Sequence, residues 1–237
     1  MTILRKITLF SLVNLGFLHS TVTALLDMTN QWCLNIDKGM VSGVIFLDLK
    51  KAFDTLDHAI LLKKLSDYGV QGQTASWFKS YLKDRQQFCV INGLSSLKNR
   101  IVCGVPQGSL LGPPLFLIYI NDLPSLDHSI GRSFSDDTNE TFSAMDLSIL
   151  QTEISNDLNR IFNWLSSNKL TLNILKTDFM VIGSRQRIVT LAGNISLGVN
   201  GLTLQKVKST KCLGLTIDQF LTWRNHLLCQ TKGGVWH

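Results

Sequence analysis

The chain of 237 residues is poor in several things at once. Glutamate is nearly missing: 15 of the 17 acidic residues are aspartates, and only Glu140 and Glu153 break the rule. Proline occurs four times and tyrosine three times. No internal repeat and no low-complexity tract is present, which excludes solenoids and compositionally disordered tails. Five cysteines, Cys33, Cys89, Cys103, Cys212 and Cys229, stand far apart with no CxxC and no histidine at ligand spacing. That argues against a disulfide framework and structural zinc, and for reduced, mostly buried thiols. GVPQGS lacks the Lys-Ser/Thr of a phosphate-binding P-loop, and Gly108-Ser109-Leu110-Leu111-Gly112 lacks the spacing of a nucleophile elbow.

No apolar run is long enough to span a bilayer, so a membrane partner is not expected. Near the N-terminus, Arg5 and Lys6 precede ITLFSLVNLGFL, which has the look of a secretory signal interrupted by Asn14 and His19. The alternative is an apolar segment buried against the domain, and it favours an intracellular chain, nuclear or cytoplasmic, over a secreted one. What remains is a folded composition, 45% apolar and 17% charged, with a formal net charge of +6. A basic excess suits a polyanion without proving one.

The periodicity predicts a helix over 20–37 with Leu25, Met28 and Trp32 on one face. VSGVIFLDL (41–49) reads as a buried strand. DHAILLKKLSDYG (57–69) reads as a helix capped by Asp57 and stopped by Gly69. A helix over 73–84 offers Trp77, Phe78 and Tyr81 to the core. QQFCVINGLSS and KNRIVCG suggest a hairpin about Asn92-Gly93. An apolar helix over 109–123 is kinked or started at Pro113-Pro114. GRSFSDDTNETFS reads as strand, tight turn, strand. The clearest helix is 146–168, with a stripe of Leu147, Leu150, Ile154, Leu158, Ile161 and Leu165. TDFMVIG (177–183) is a strand, ISLGVNGLTLQ a second hairpin, and KCLGLTID (211–218) another strand. Helices mixed with antiparallel hairpins make the class α+β, an antiparallel sheet packed on helices.

Asp48 ends the apolar run Val44-Ile45-Phe46-Leu47, a costly place for a carboxylate unless a cation or donors meet it. Asp136 and Asp137 fall in the turn of FSDDTN. Aspartate favours turns, so this pair by itself can be read as nothing more. If that hairpin pairs beside the first strand, three carboxylates converge at one sheet end. Such a set suits two Mg²⁺ ions, which take carboxylates, water and phosphate oxygens.

FLDLKKAFDTLDH (46–58), GVPQGSLLGPPLF (104–116), FSDDT (134–138), NKLTLNILKTDFMVIG (168–183) and KCLGLTID occur in the order of the reverse transcriptase palm. They resemble in particular the reverse transcriptases of non-LTR, LINE-type retrotransposons of the jockey-like sort. The resemblance spans residues 19–225, a palm with partial fingers, between an unmatched apolar stretch (1–18) and a short tail (226–237) where no thumb would fit. It implies an RNA-directed DNA polymerase that transfers dNTPs to a primer 3′-OH on an RNA template, with Mg²⁺ as cofactor or Mn²⁺ in its place.

The same resemblance implies roles. Asp48, Asp136 and Asp137 are the metal-binding aspartates, with the backbone of Leu49 near the metal. Ala52 and Phe53 belong to the nucleotide site. The Phe53 ring lies under the incoming sugar, where it rejects a 2′-OH, with plain core as the lesser alternative for the same ring. Gln107 and Gly108 support nucleotide and template. Lys176 steadies or protonates the leaving pyrophosphate, although it reads equally as a solvated strand-end lysine. Cys212 to Leu215 resemble the primer-grip hairpin. His58 reads as structural. The pattern is departed from at Ser135, where the family has Ala or a similar small residue before the paired aspartates. It is departed from again before His19, where LVNLGFLHST carries none of the family's triphosphate-gripping cations. No endonuclease-like segment precedes the palm. These departures set a second reading beside the first, a catalytically inactive retrotransposon remnant that at most binds nucleic acid, and they lead to an expectation of weak or no polymerisation by residues 1–237.

Overall fold

The computed structural model describes residues 21–123, 130–134, 137–191, 195–224 and 226–227. The apolar N-terminal stretch, Ser135, Asp136 and Cys229 lie outside the described residues. The chain divides into two compact units. One takes in residues 50–123 and 165–171, and the other most of the remainder, including 21–49, 130–164 and 172–227.

The larger unit is organised by a five-stranded sheet in the order β11-β8-β1-β7-β6. Strand β1 (Val41–Leu47) buries six of its seven residues, as a strand covered on both faces must. It pairs antiparallel with β7 (Asp137–Ala144) and with β8 (Asp178–Ile182). β7 continues the sheet to β6 (Ile130–Phe134), so the GRSF and TNETFS segments do form a strand pair, and that pair does lie beside the first strand. β11 (Gln205–Lys206) adds the sheet's one parallel pairing, against β8.

One face of the sheet is covered by helix α1 (Thr21–Asp37), whose Leu25, Met28 and Trp32 cluster with Val44, Met180 and Ile182. Trp32 Nε1 donates to Thr141 Oγ1 at 3.2 Å, which satisfies the one polar atom of a fully buried indole. The alternation of a strand turns Gly43 to the other face, where helix α6 (Leu147–Ser167) crosses it. Leu150, Ile154, Leu158, Ile161 and Leu165 are buried as the stripe predicts, with Leu147 at its edge. Gly43 is glycine for a reason of space: a Cβ there would stand 2.6 Å from Ile154 Cδ1.

KCLGLTID is not one strand. Strands β12 (Ser209–Cys212) and β13 (Leu215–Asp218) pair with each other around Leu213-Gly214. Leu213 enters the left-handed region (φ 47), a conformation that leucine does not advertise. The hairpin is therefore the one the motif resemblance put at Cys212–Leu215. The ISLGVNGLTLQ hairpin forms as read, between β9 (Gly198–Val199) and β10 (Leu202–Thr203).

The smaller unit is mainly helical. Helix α2 (Ala52–Thr55) is one turn long. Helix α3 (His58–Asp67) is capped by Asp57, which accepts from the backbone N–H of Ala59 and Ile60. Helix α4 (Gly72–Leu82) buries Leu82 rather than the aromatic trio. Trp77 is 52% exposed, stacked on Tyr81, and Phe78 and Tyr81 are only half-buried. The aromatic period was right for a helix, but Leu82 alone reaches the interior. Strands β2 (Gln86–Gln87) and β5 (Asn99–Arg100) pair, and inside them β3 (Val90–Ile91) and β4 (Leu94–Ser95) close on Asn92-Gly93, both at positive φ. Helix α5 (Gly112–Ile120) starts, rather than kinks, at its prolines and is almost wholly buried.

The cysteines depart from expectation in burial. Among the described residues Cys33, Cys89 and Cys103 are exposed and Cys212 alone is buried.

Candidate active site

The first aspartate is placed by the sheet and gripped by a turn. Just past the end of β1, Asp48 is half-buried. Its carbonyl accepts from Asn173 N at 2.8 Å, its Oδ2 accepts from Asn173 Nδ2 at 2.7 Å, and its N–H donates to Thr177 Oγ1 at 3.3 Å. Thr177 Oγ1 in turn donates to Asn173 O, and Leu49 bridges to Leu172. The NILKT turn thus fixes both backbone and carboxylate of Asp48. Lys176 sits in that turn with an exposed side chain, its own N–H donating to Asn173 O at 3.0 Å. The next residue after it, bar one, is Asp178, whose carboxyl is pushed up by burial at the start of β8.

The register brings the aspartate-bearing hairpin to the same sheet end. Leu47 is opposite Thr138, so the next backbone position on each strand is Asp48 on one and Asp137 on the other. Asp137 also pairs with Phe134 across the hairpin. Asp136 lies outside the described residues. Asp48 forms no ion pair among the described residues and Asn173 is the neutral donor on one of its oxygens, a donor set that leaves its charge for a hard cation.

In the smaller unit the AFDT turn and the GVPQG loop are stitched into one piece. Gly104 N donates to Leu56 O at 2.7 Å and Val105 N to Phe53 O at 2.9 Å. Gln107 Nε2 donates to Asp54 Oδ1 at 2.8 Å, and a His58 Nε2 contact of 2.7 Å reaches Gly104 O, the structural role read for this histidine. Gly104 has φ +78 and a Cβ on it would meet the Asp54 carbonyl oxygen at 2.7 Å, so only glycine lets the two segments approach. Gly108, also at positive φ, has open space around it. Ala52 is buried. Phe53 is half-buried with its ring 4.8 Å from that of Phe116. The side chain is therefore supported by the core on one side and accessible on another.

Within this unit Tyr119 ties three segments together. Its hydroxyl donates to Asn168 O at 2.6 Å and accepts from Asp57 N at 3.3 Å, and burial raises the phenol to about 12. Lys169 reaches Asp57 Oδ2 at 2.6 Å, and that hydrogen bond holds the Asp57 carboxyl below the usual range. Lys64, buried against Tyr119 O and Asp122, has its pKa lowered by burial despite the carboxylate partner.

Of the residues singled out from sequence, the structure groups Asp48, Leu49, Lys176 and the backbone of Asp137 in one unit. It groups Ala52, Phe53, Gln107 and Gly108 in the other. Asn173 and Thr177 went unnoticed in sequence. Both lie inside the NILKT block, but nothing in that string says that they point back at Asp48.

Comparison with known proteins agrees with this architecture. The family model for reverse transcriptase (RNA-dependent DNA polymerase) matches residues 2–217, and the chain belongs to that family. It is 27% identical over 229 residues to a protein of Drosophila melanogaster described as probable RNA-directed DNA polymerase from transposon BS, covering 90% of this chain and 24% of that one. It is 26% identical to the RNA-directed DNA polymerase from mobile element jockey of the same fly, over 77% of this chain and 20% of that one. The chain therefore spans about a quarter of the length of the relatives it matches. Among solved structures, apo telomerase from Candida tropicalis shares the fold with a TM-score of 0.60 at 14% identity, over 94% of this chain and 38% of that one. The α+β fold is that of a reverse transcriptase palm. Among the described residues no helix is long and apolar enough to cross a membrane.

Proposed function

We propose that this chain is the palm, with partial fingers, of an RNA-directed DNA polymerase that extends a DNA primer on an RNA template. Asp48 carries the reading: it is a carboxylate at the end of a buried strand, in register with the aspartate-bearing hairpin and held by Asn173 with no counter-ion among the described residues. Asp48, Asp136 and Asp137, with the carbonyl of Leu49, would hold Mg²⁺ or Mn²⁺. Bound there, the divalent ions would lower the pKa of the primer 3′-OH and offset the charge of the pyrophosphate as it leaves.

The chain's own residues do the rest. Asn173 and Thr177 fix Asp48 so that no reorganisation is needed at the moment of reaction. The primer 3′-oxygen forms a bond to the α-phosphorus as the bond to pyrophosphate breaks, and Lys176 stands ready in the same turn to give a proton or a charge to that leaving group. Phe53, braced by Phe116, sets the floor of the sugar site, and the Gln107–Asp54 pair holds the loop that backs the nucleotide.

Primer extension on a primed RNA template is the test, with Mg²⁺ and then Mn²⁺. The expected result is weak extension by residues 1–237 that falls a further 10²–10³-fold, roughly, in Asp48→Asn, with the melting temperature unchanged. Metal binding that depends on Asp48 with extension at background in the unmodified chain would instead establish the inactive remnant. Extension indifferent to Asp48→Asn would refute the site.

A further inference from the structure

The smaller unit holds a cleft of about 670 Å³ lined by Lys51, Thr55, Arg85, Arg100, Cys103 and Gln107. Three cations, Lys51, Arg85 and Arg100, face it against one carboxylate, Asp54, which accepts a hydrogen bond from Gln107 and keeps its charge. Arg85 Nη1 is buried and has no hydrogen-bond partner among the described residues, a costly condition for a guanidinium nitrogen. The backbone that carries the arginine is fixed, because Ile101 N donates to Arg85 O at 2.8 Å and Gln86 pairs with Arg100 across the β2–β5 ladder. Arg100 is held at 2.8 Å by Asp84, but both groups are about two-thirds exposed, so that pair is weak and exchanges readily for another anion. Lys51, at φ 49, is turned out at the head of the AFDT helix.

We infer that this cleft is a cradle for backbone phosphates of single-stranded nucleic acid, with Arg85 and Arg100 as the two clamps and Lys51 as a flanking charge. The inference rests on the polymerase reading and deepens it by naming where the strand is held. Guanidinium is the group that meets phosphate in a planar, two-pronged fashion. A strand is favoured over a free nucleotide because the walls also carry Ile101 and the 71%-exposed Val102, aliphatic surface against which sugar rings between phosphates can pack. Neither arginine stands out in the sequence, since an arginine at 85 and another at 100 form no motif.

The test is binding of a fluorescent single-stranded RNA 12-mer, without metal or nucleotide, across a salt series. Loss of two phosphate contacts in Arg85→Gln/Arg100→Gln should lower the log–log salt slope by about 1.4 and weaken binding about tenfold at low salt. Arg85→Lys/Arg100→Lys should keep most of the slope, and Lys38→Gln, a solvent-facing lysine of the other unit, should change it little. Cys103 supplies an independent readout in the unmodified chain: RNA should slow its alkylation, mapped by mass spectrometry, and leave Cys33 unaffected. An unchanged slope in the glutamine variant, no RNA binding by the unmodified chain, or protection of Cys103 by dNTP but not by RNA would each overturn the cradle. Failure of the polymerase reading shows separately, as extension indifferent to Asp48→Asn.

Discussion

Strand β1 and the β3–β4 hairpin are both written largely in apolar letters, yet they are held in different ways. β1 buries six of seven residues and is fixed by two long-range partners and a helix on each face. In the β3–β4 hairpin Val90, Ile91 and Leu94 are 58%, 71% and 79% exposed, and the register comes from a two-residue turn. In the first case tertiary packing dictates where the strand ends, so the carboxylate that follows it is aimed by the whole sheet. In the second, local turn chemistry does the work, and the arginines at the base of the hairpin depend on little beyond their own ladder. The chain therefore carries one set of charged groups on a rigid frame and another on a frame that can be altered without loss of the fold.

That contrast can be broken at its strong end first. Phe142 is fully buried in β7 opposite Gly43, and Phe142→Ala should cost about 3–5 kcal/mol, read as a lower midpoint in urea unfolding. A cost under about 1 kcal/mol would mean that the sheet is not the frame described above. In the helical unit, Tyr119→Phe keeps the ring and strips the hydroxyl from Asn168 O and Asp57 N. The expected cost is about 1–3 kcal/mol by the same measurement.

A smaller effect is expected at Asp57. The Lys169 hydrogen bond lowers its folded pKa, so its contribution is complete above the ordinary carboxylate value and is lost as pH falls through the lower folded value. Asp57→Asn keeps a competent helix cap and loses the ion pair, which is largely exposed on the lysine side. It should therefore cost no more than about 1 kcal/mol at pH 7. The difference from the unmodified chain should vanish below that window in a pH series of thermal melts. At the weak end, Ile91→Thr should shift stability by less than about 0.5 kcal/mol, because the side chain it trims is in water.

The same contrast explains what could be read before any coordinates. β1, the α6 stripe and both Asn-Gly hairpins were legible because burial periodicity and positive-φ turn residues are written in residue type. The pairing of the Asp137 hairpin with β1 could be stated only as a condition, since register between distant strands is decided by packing. KCLGLTID reads as one strand because its lone turn residue, Gly214, shares the turn with Leu213, a residue type that does not announce the left-handed conformation it takes. Trp77 and three cysteines were placed inside by their chemistry and lie outside, since helix periodicity does not say which side has a neighbour. Of the candidate site, Asp48 and the AFDT and PQG segments were plain as strings. Asn173, Thr177, Arg85 and Arg100 were not, because each acts through a partner brought near only by the fold.

The missing side chain of Gly104 has a bearing on engineering. With its Cα against the Asp54 carbonyl, and hydrogen bonds on either side, the segments 52–58 and 103–109 behave as a single cassette cut from two places in the chain. A chimera that imports one of them from a relative without the other would put a foreign outline into a gap of under 3 Å. Recombination libraries in this family should therefore move the two segments as a linked pair, and crossover points between residues 58 and 103 should be tolerated only when both flanks come from the same parent.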